Sequence, residues 1–223
     1  MSIEMNTVRL LGAAQLIVFV ASILSERLLI SAAGSGSISA ILVNISKNVT
    51  LMRISNLLAL VDSLGIVALG VLFYVVFYRQ YGIIALVALG FFLVEAITLA
   101  VSKIGAFALI PLGQEFVEAG TPEPSYFQAL GNFLYYGMDR QGYHIHNLFF
   151  CLGGILWYYL FLNSGHIPRA LSLWGLVAAS LLLIPVLLQL YDRDFTHPVM
   201  VVGLLYLPFE LVLGVWLIVE GFN

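Results

Sequence analysis

Apolar runs longer than ~18 residues recur along this chain, and that is the length at which a membrane-crossing helix becomes the default reading. They lie near Val8 to Ser31, Thr50 to Tyr78, Gly82 to Ile110, Gly142 to Asn163, Pro168 to Tyr191 and Pro198 to Phe222. Each is near or above the ~20 residues that span a ~30 Å hydrocarbon core, so the longest must tilt or protrude. With 61% hydrophobic residues, 9% charged residues and a mean hydropathy of +1.04, a water-soluble domain is excluded. The expected fold is all-α: one integral-membrane domain over residues 1–223, a polytopic bundle of six transmembrane helices with both termini on the same side.

Ala32-Ala33-Gly34 looks like a small-residue cleavage site, but the apolar run before it is longer than a signal-peptide core and Arg9 is a meagre basic flank. An uncleaved first helix is expected. Cys151 is the single cysteine, so no intrachain disulfide forms. The net charge of −3 comes with no basic cluster, which argues against nucleic acid and leaves the lipid bilayer as the evident partner.

The connections differ in character. Arg79-Gln80-Tyr81 and Ser164 to Arg169 are tight turns that hold a basic residue and no acid. On the other face lie the stretch from Ala32 to Val49, with flexible linker chemistry at Gly34-Ser35-Gly36-Ser37, the segment 112–141, and the Asp192-Arg193-Asp194 link. Short basic connections stay in the cytoplasm, which places both termini inside. Within 112–141, Gly120-Thr121-Pro122-Glu123-Pro124 is a turn, and Tyr126 to Tyr136 reads as a short amphipathic or re-entrant helix: a lid or an interfacial anchor. Two glycosylation sequons, at Asn44 and Asn48, have nothing beside them that argues for a secretory route.

Asp62, Glu95 and Glu210 each fall near the middle of an apolar run. A carboxylate at mid-bilayer costs roughly 2.5 to 3.5 kcal/mol even on lenient scales, so the three are expected to share a polar interior. Threading the spans up and down adds Arg53, Lys103, His144 and His146 toward the face that carries the long loops. The result resembles a funnel open to the outside, with the carboxylates at its floor.

Each of these residues has a plainer role available. Asp62 can be satisfied by a neighbouring helix, with Ser63 and Gly65 as packing contacts. Lys103 lies eight residues from Glu95, ~12 Å along the helix and too far for a direct pair, and can snorkel outward instead. Glu210 follows Pro208, so a proline-loosened turn frees backbone carbonyls beside the acid or simply kinks the helix.

His144-Ile145-His146 has a familiar metal-ligand spacing, yet two residues on a helix are ~200° apart, so both bind one metal only from extended backbone. His146 with Glu95 and Glu210 forms a mixed candidate set for zinc or iron; the alternative is an imidazole hydrogen-bonded inside the bundle. His146, a full turn inside its helix, is expected to be the functional histidine, ahead of His144, of His166 in a tight turn and of His197 beside a helix-starting proline. No HExxH, GxSxG or phosphate-loop motif occurs, so the common hydrolase and nucleotide-binding signatures are absent and the cofactor is unknown.

The run Gly142-Tyr-His-Ile-His-Asn-Leu-Phe-Phe150, then Ser164-Gly-His-Ile-Pro-Arg169 leading to Gly175, and Pro208-Phe-Glu to Gly221 resemble the prokaryotic multi-pass family known as domain of unknown function 4386. Its hallmarks fall on His146, Pro168, Arg169 and Glu210, with Glu95 a looser match. The resemblance implies a small bacterial or archaeal inner-membrane protein. It implies no reaction, because the family has no assigned activity.

Three functional classes follow. The funnel can bind or sense a small ligand, an ion or a proton. It can hold a metal that activates water against a lipid or other hydrophobic substrate. Or the chain is an accessory subunit of a membrane complex whose polar residues join helices. The first is the favoured expectation, since the metal ligand set is incomplete.

Overall fold

The computed structural model describes residues 5–192 and 197–222. Among them the secondary structure is entirely helical: α1 (Met5–Ala33), α2 (Ile38–Lys47), α3 (Val49–Glu118), α4 (Tyr126–Asn132), α5 (Gln141–Ser164), α6 (Arg169–Tyr191) and α7 (His197–Val219), with a π-helical segment Phe133–Arg140 joining α4 to α5. Five continuous helical stretches are long and apolar enough to cross a membrane. The α3 stretch has 70 residues, about 105 Å if straight, against a hydrocarbon core of ~30 Å. It bends back at Tyr81, whose φ of −133° and ψ of 35° leave the helical region. The two arms then lie side by side: the Phe73 ring sits 6.4 Å from that of Phe92, and Gly70 abuts Leu89 and Phe92. With α3 counted as two arms, the described residues therefore make six passes.

The burial pattern explains why these helices need a membrane. Along the first arm of α3, Ala59, Asp62, Ile66, Leu69, Phe73 and Phe77 are buried at helical spacing. The opposite stripe, Ile54, Leu57, Val61, Leu64, Val71 and Val75, is exposed and just as apolar. A helix that is hydrophobic all round presents its outer face to lipid rather than water.

Packing divides the chain into two compact units, Met1–Phe19 with Leu64–Ala96 and His144–Asn223, and Val20–Ser63 with Ile97–Tyr143. The first unit is centred on an aromatic cluster. Trp157 lies 5.1 Å from Phe73 and 5.9 Å from Phe92, and Phe161 meets Phe77 edge-on at 5.0 Å. The second unit packs α2 against the far arm of α3 through Ile41, Leu42, Ile45, Leu109 and Phe116.

Three local readings are corrected. The stretch from Ala32 to Val49, expected as a loop between spans, contains α2: the Ser37 hydroxyl accepts from the Ala40 N–H at 3.3 Å as an N-cap, and Ile38, Ile41, Leu42 and Ile45 form one buried stripe. The first helix ends at Ala33, and only the glycine-bearing turn that follows is irregular. The second arm of α3 runs on through Pro111 to Glu118, and Tyr126 leads without a break through the π segment into α5, so 112–141 is mostly helix. Residues 193 and 194 of the Asp192-Arg193-Asp194 link, and the side chain of His197, lie outside the described residues.

Candidate functional site

In the first unit, Glu95 belongs to the buried stripe Phe92, Glu95, Ala96 and Leu99 of α3, so helical spacing alone turns its carboxylate inward. His146 faces it from α5. Its Nδ1 lies 3.3 Å from the Glu95 carbonyl oxygen and 4.0 Å from Oε1 of the same residue. With the proton on Nδ1, the imidazole donates to that carbonyl and leaves Nε2 as an acceptor. The backbone at His144 is already helical, so the extended geometry needed for a shared His144–His146 metal is absent. His144 is only half-buried.

Glu210 enters from α7. The Gln15 amide of α1, itself 4% exposed, donates to Glu210 Oε1 at 3.3 Å. The helix is continuous across Pro208, and within the turn around it the Trp174 indole of α6 donates to the Leu205 carbonyl at 3.2 Å. One turn before Glu210, the Tyr206 hydroxyl bonds the Tyr158 hydroxyl of α5 at 2.5 Å, both side chains being buried.

These groups converge. Gln15, Glu95, Tyr158 and Glu210, with Phe150 and Trp157 among the apolar walls, border a cavity of about 20 Å³. That is space for one water or a bare ion and far below what an organic ligand needs.

The other candidates lie in the second unit. Asp62 is 3% exposed and accepts a hydrogen bond from the Ser22 side chain, and the Lys103 charge acts on it. Lys103 does not snorkel. Its Nζ meets Asp139 Oδ1 at 2.6 Å, both side chains buried, and Asp139 sits on the π segment rather than in an outer loop. The neighbouring Arg140 holds Glu26 through two contacts of 2.7 and 3.1 Å and stacks over Tyr143 at 5.2 Å. Arg53 is on the exposed face of α3.

Of the seven residues singled out from sequence, Glu95, Glu210, His146 and His144 thus belong to one unit, and Asp62, Lys103 and Arg53 to the other. Gln15, Tyr158 and Trp157 were missed. Gln15 carried the clearest signal, being an uncharged polar residue deep inside an apolar run. Among the described residues no three His, Cys, Asp or Glu side chains gather as a metal-binding set. The proposed ligands Glu95, His146 and Glu210 share a unit without forming one.

No curated protein and no solved structure matches this chain. The family profile described as Domain of unknown function (DUF4386) matches residues 10–221, nearly the whole length and all six passes. The chain is an integral-membrane member of the DUF4386 family.

Proposed function

We propose that the protein binds or senses a small ion or a proton inside the membrane, at the carboxyls of Glu95 and Glu210. The observation that carries this reading is their common cavity, which they share with the Gln15 amide and the Tyr158 hydroxyl. Two carboxyls facing one water-sized space in a low-dielectric interior do not both hold a negative charge cheaply, so occupancy by a positive species is favoured. The volume argues against an organic or lipid ligand in this cavity. The absence of a gathered ligand set among the described residues argues against the metal-dependent enzyme.

The favoured setting is a prokaryotic inner membrane with both termini in the cytoplasm. Arg79 and Arg169, exposed in or beside the short turns, support that orientation. Access from the opposite face is supported by chain position: Arg53, Asp62 and Lys103 all lie nearer the ends of α3 than its turn at Tyr81.

The test is an infrared pH titration of the protein in lipid nanodiscs. Carboxyl C=O bands that appear on acidification, one lost in Glu95→Gln and another in Glu210→Gln, are expected. Spectra identical to wild type in both variants would leave these carboxyls as structural groups of an accessory subunit.

A further inference from the structure

We infer that the cavity of the first unit holds a single water molecule, fixed by the Trp157 indole N–H, and that this water passes a proton between Glu95 and Glu210. The inference rests on the reading of these carboxyls as an ion or proton site and deepens it by naming the proton.

Trp157 is fully buried, and its Nε1–H finds no acceptor among the described residues. Its ring is clamped by Phe73 at 5.1 Å, Phe77 at 6.1 Å and Phe92 at 5.9 Å, so it cannot turn to seek one without breaking that cluster. An indole N–H is a donor only, and leaving it unmatched in an apolar interior is unfavourable. Trp157 borders the cavity together with Glu95, Glu210, Gln15 and Tyr158. The space, about 20 Å³, exceeds the ~10–15 Å³ that one water requires, and two to four polar partners hold such a water. Here the indole N–H and the O–H of one neutral carboxyl donate to its oxygen, and the other carboxylate accepts one of its hydrogens, which makes three partners. A metal cation suits the site poorly, because the indole offers the positive end of a dipole.

The transfer is balanced. The proton of one neutral carboxyl passes to the water oxygen as the water gives one of its own to the other carboxylate, so one proton moves and the water ends neutral. The titratable groups facing this pair are known on each side. His146 and Cys151 act on Glu95 from α5, Tyr158 of α5 feels both carboxyls, and Tyr206 of α7 feels Glu210, while α1 contributes the uncharged Gln15. Among these only His146 becomes positive, when both ring nitrogens are protonated, and its Nδ1 is oriented by the Glu95 backbone.

The experiment is the infrared titration carried out on wild type, Trp157→Phe and Trp216→Phe, in ordinary and in ¹⁸O-exchanged water. Trp216 also has a buried indole nitrogen without an acceptor among the described residues but does not border this cavity. We expect a water O–H band that shifts in ¹⁸O water, present in wild type and Trp216→Phe and absent in Trp157→Phe. The carboxyl midpoints should move by roughly one pH unit in Trp157→Phe alone, the size of one lost hydrogen bond. Should Trp157→Phe not fold, Glu95→Gln reads the same bridge: the ¹⁸O-sensitive band shifts because an amide replaces one carboxyl partner of the water, and an unshifted band overturns the bridge. Carboxyl bands that titrate with the water band and midpoints unchanged in Trp157→Phe would overturn the bridge and leave the ion-site reading standing. Midpoints that shift when sodium replaces choline at fixed ionic strength would overturn it in favour of a cation. If no carboxyl band depends on Glu95 or Glu210, both readings fall.

Discussion

Lys103 and Asp139 form an ion pair of 2.6 Å with both side chains buried, linking the far arm of α3 to the π segment. A π-helix spaces its side chains differently from an α-helix, and here the segment sets Asp139 against Lys103 while Arg140, the next residue, reaches Glu26. The pairing is reciprocal in charge: two bases against two acids. Breaking one partner leaves a buried charge without its counter-ion, which costs about 3–5 kcal/mol, whereas replacing both by apolar residues of similar size is often neutral. Lys103→Met and Asp139→Leu are each expected to lower the thermal unfolding temperature sharply, and the double variant to recover most of the loss. Equal and additive losses would mean that the pair contributes little beyond packing.

A second prediction concerns helix contact in the first unit. A Cβ at Gly12 of α1 would lie 2.8 Å from the Gly214 carbonyl of α7 and 2.9 Å from Leu217 Cβ, so only glycine permits this approach. Gly12→Ala should destabilise the protein by about 1–3 kcal/mol through overpacking. Gly90, on the exposed side of α3 with nothing near its Cβ position, is the control. There Ala should be neutral or stabilising by up to ~1 kcal/mol. Thermal denaturation in detergent compares the two directly; equal effects would refute the close-contact assignment.

His166 supplies the pH prediction. It sits in the turn between α5 and α6, stacked on Phe77 at 5.6 Å and against Phe222 at 4.7 Å, and burial lowers its pKa from the usual 6.5. A histidine held neutral in the fold and charged when unfolded adds stability above its unfolded pKa, and that contribution is lost as pH falls from 6.5 through the lower folded value. Wild type should therefore lose unfolding temperature over this window faster than His166→Phe. Parallel curves for the two proteins would show that the imidazole does not titrate against the fold.

How much of this was legible beforehand follows from the range of each interaction. The six passes were readable because crossing a membrane requires apolar length, which is a local property. α2 carried its signals too, a Ser37 cap before an Ile38, Ile41, Leu42, Ile45 stripe. The Gly34 to Ser37 turn obscured them. The Lys103–Asp139 and Gln15–Glu210 contacts join positions 36 and 195 residues apart, and nothing at either position specifies the other. The π segment is likewise invisible locally, because its backbone spacing is decided by what it packs on. Glu95 and Glu210 could be singled out, since an acid in an apolar run must find company. That the company would include Tyr158 and Trp157 could not, because aromatics in a membrane helix have many plainer uses.

The last prediction tests sidedness. If the carboxyls exchange protons with the outer face, introduced thiols should report a gradient of water access along the helices. Cys151 is buried and is first replaced by Ala to give a silent background. Arg53 is exposed near the start of α3, and His144 is half-buried near the start of α5, so Arg53→Cys and His144→Cys should react with a membrane-impermeant thiol reagent added from outside. Phe73 and Trp157 are both buried, in the aromatic cluster of the first unit. Thiols there should stay unmodified, as should one at exposed Arg79 until the membrane is opened. Labelling of Arg79→Cys from outside in intact cells would invert the orientation, and labelling of Phe73→Cys from either side would replace a closed inner half with a continuous aqueous path.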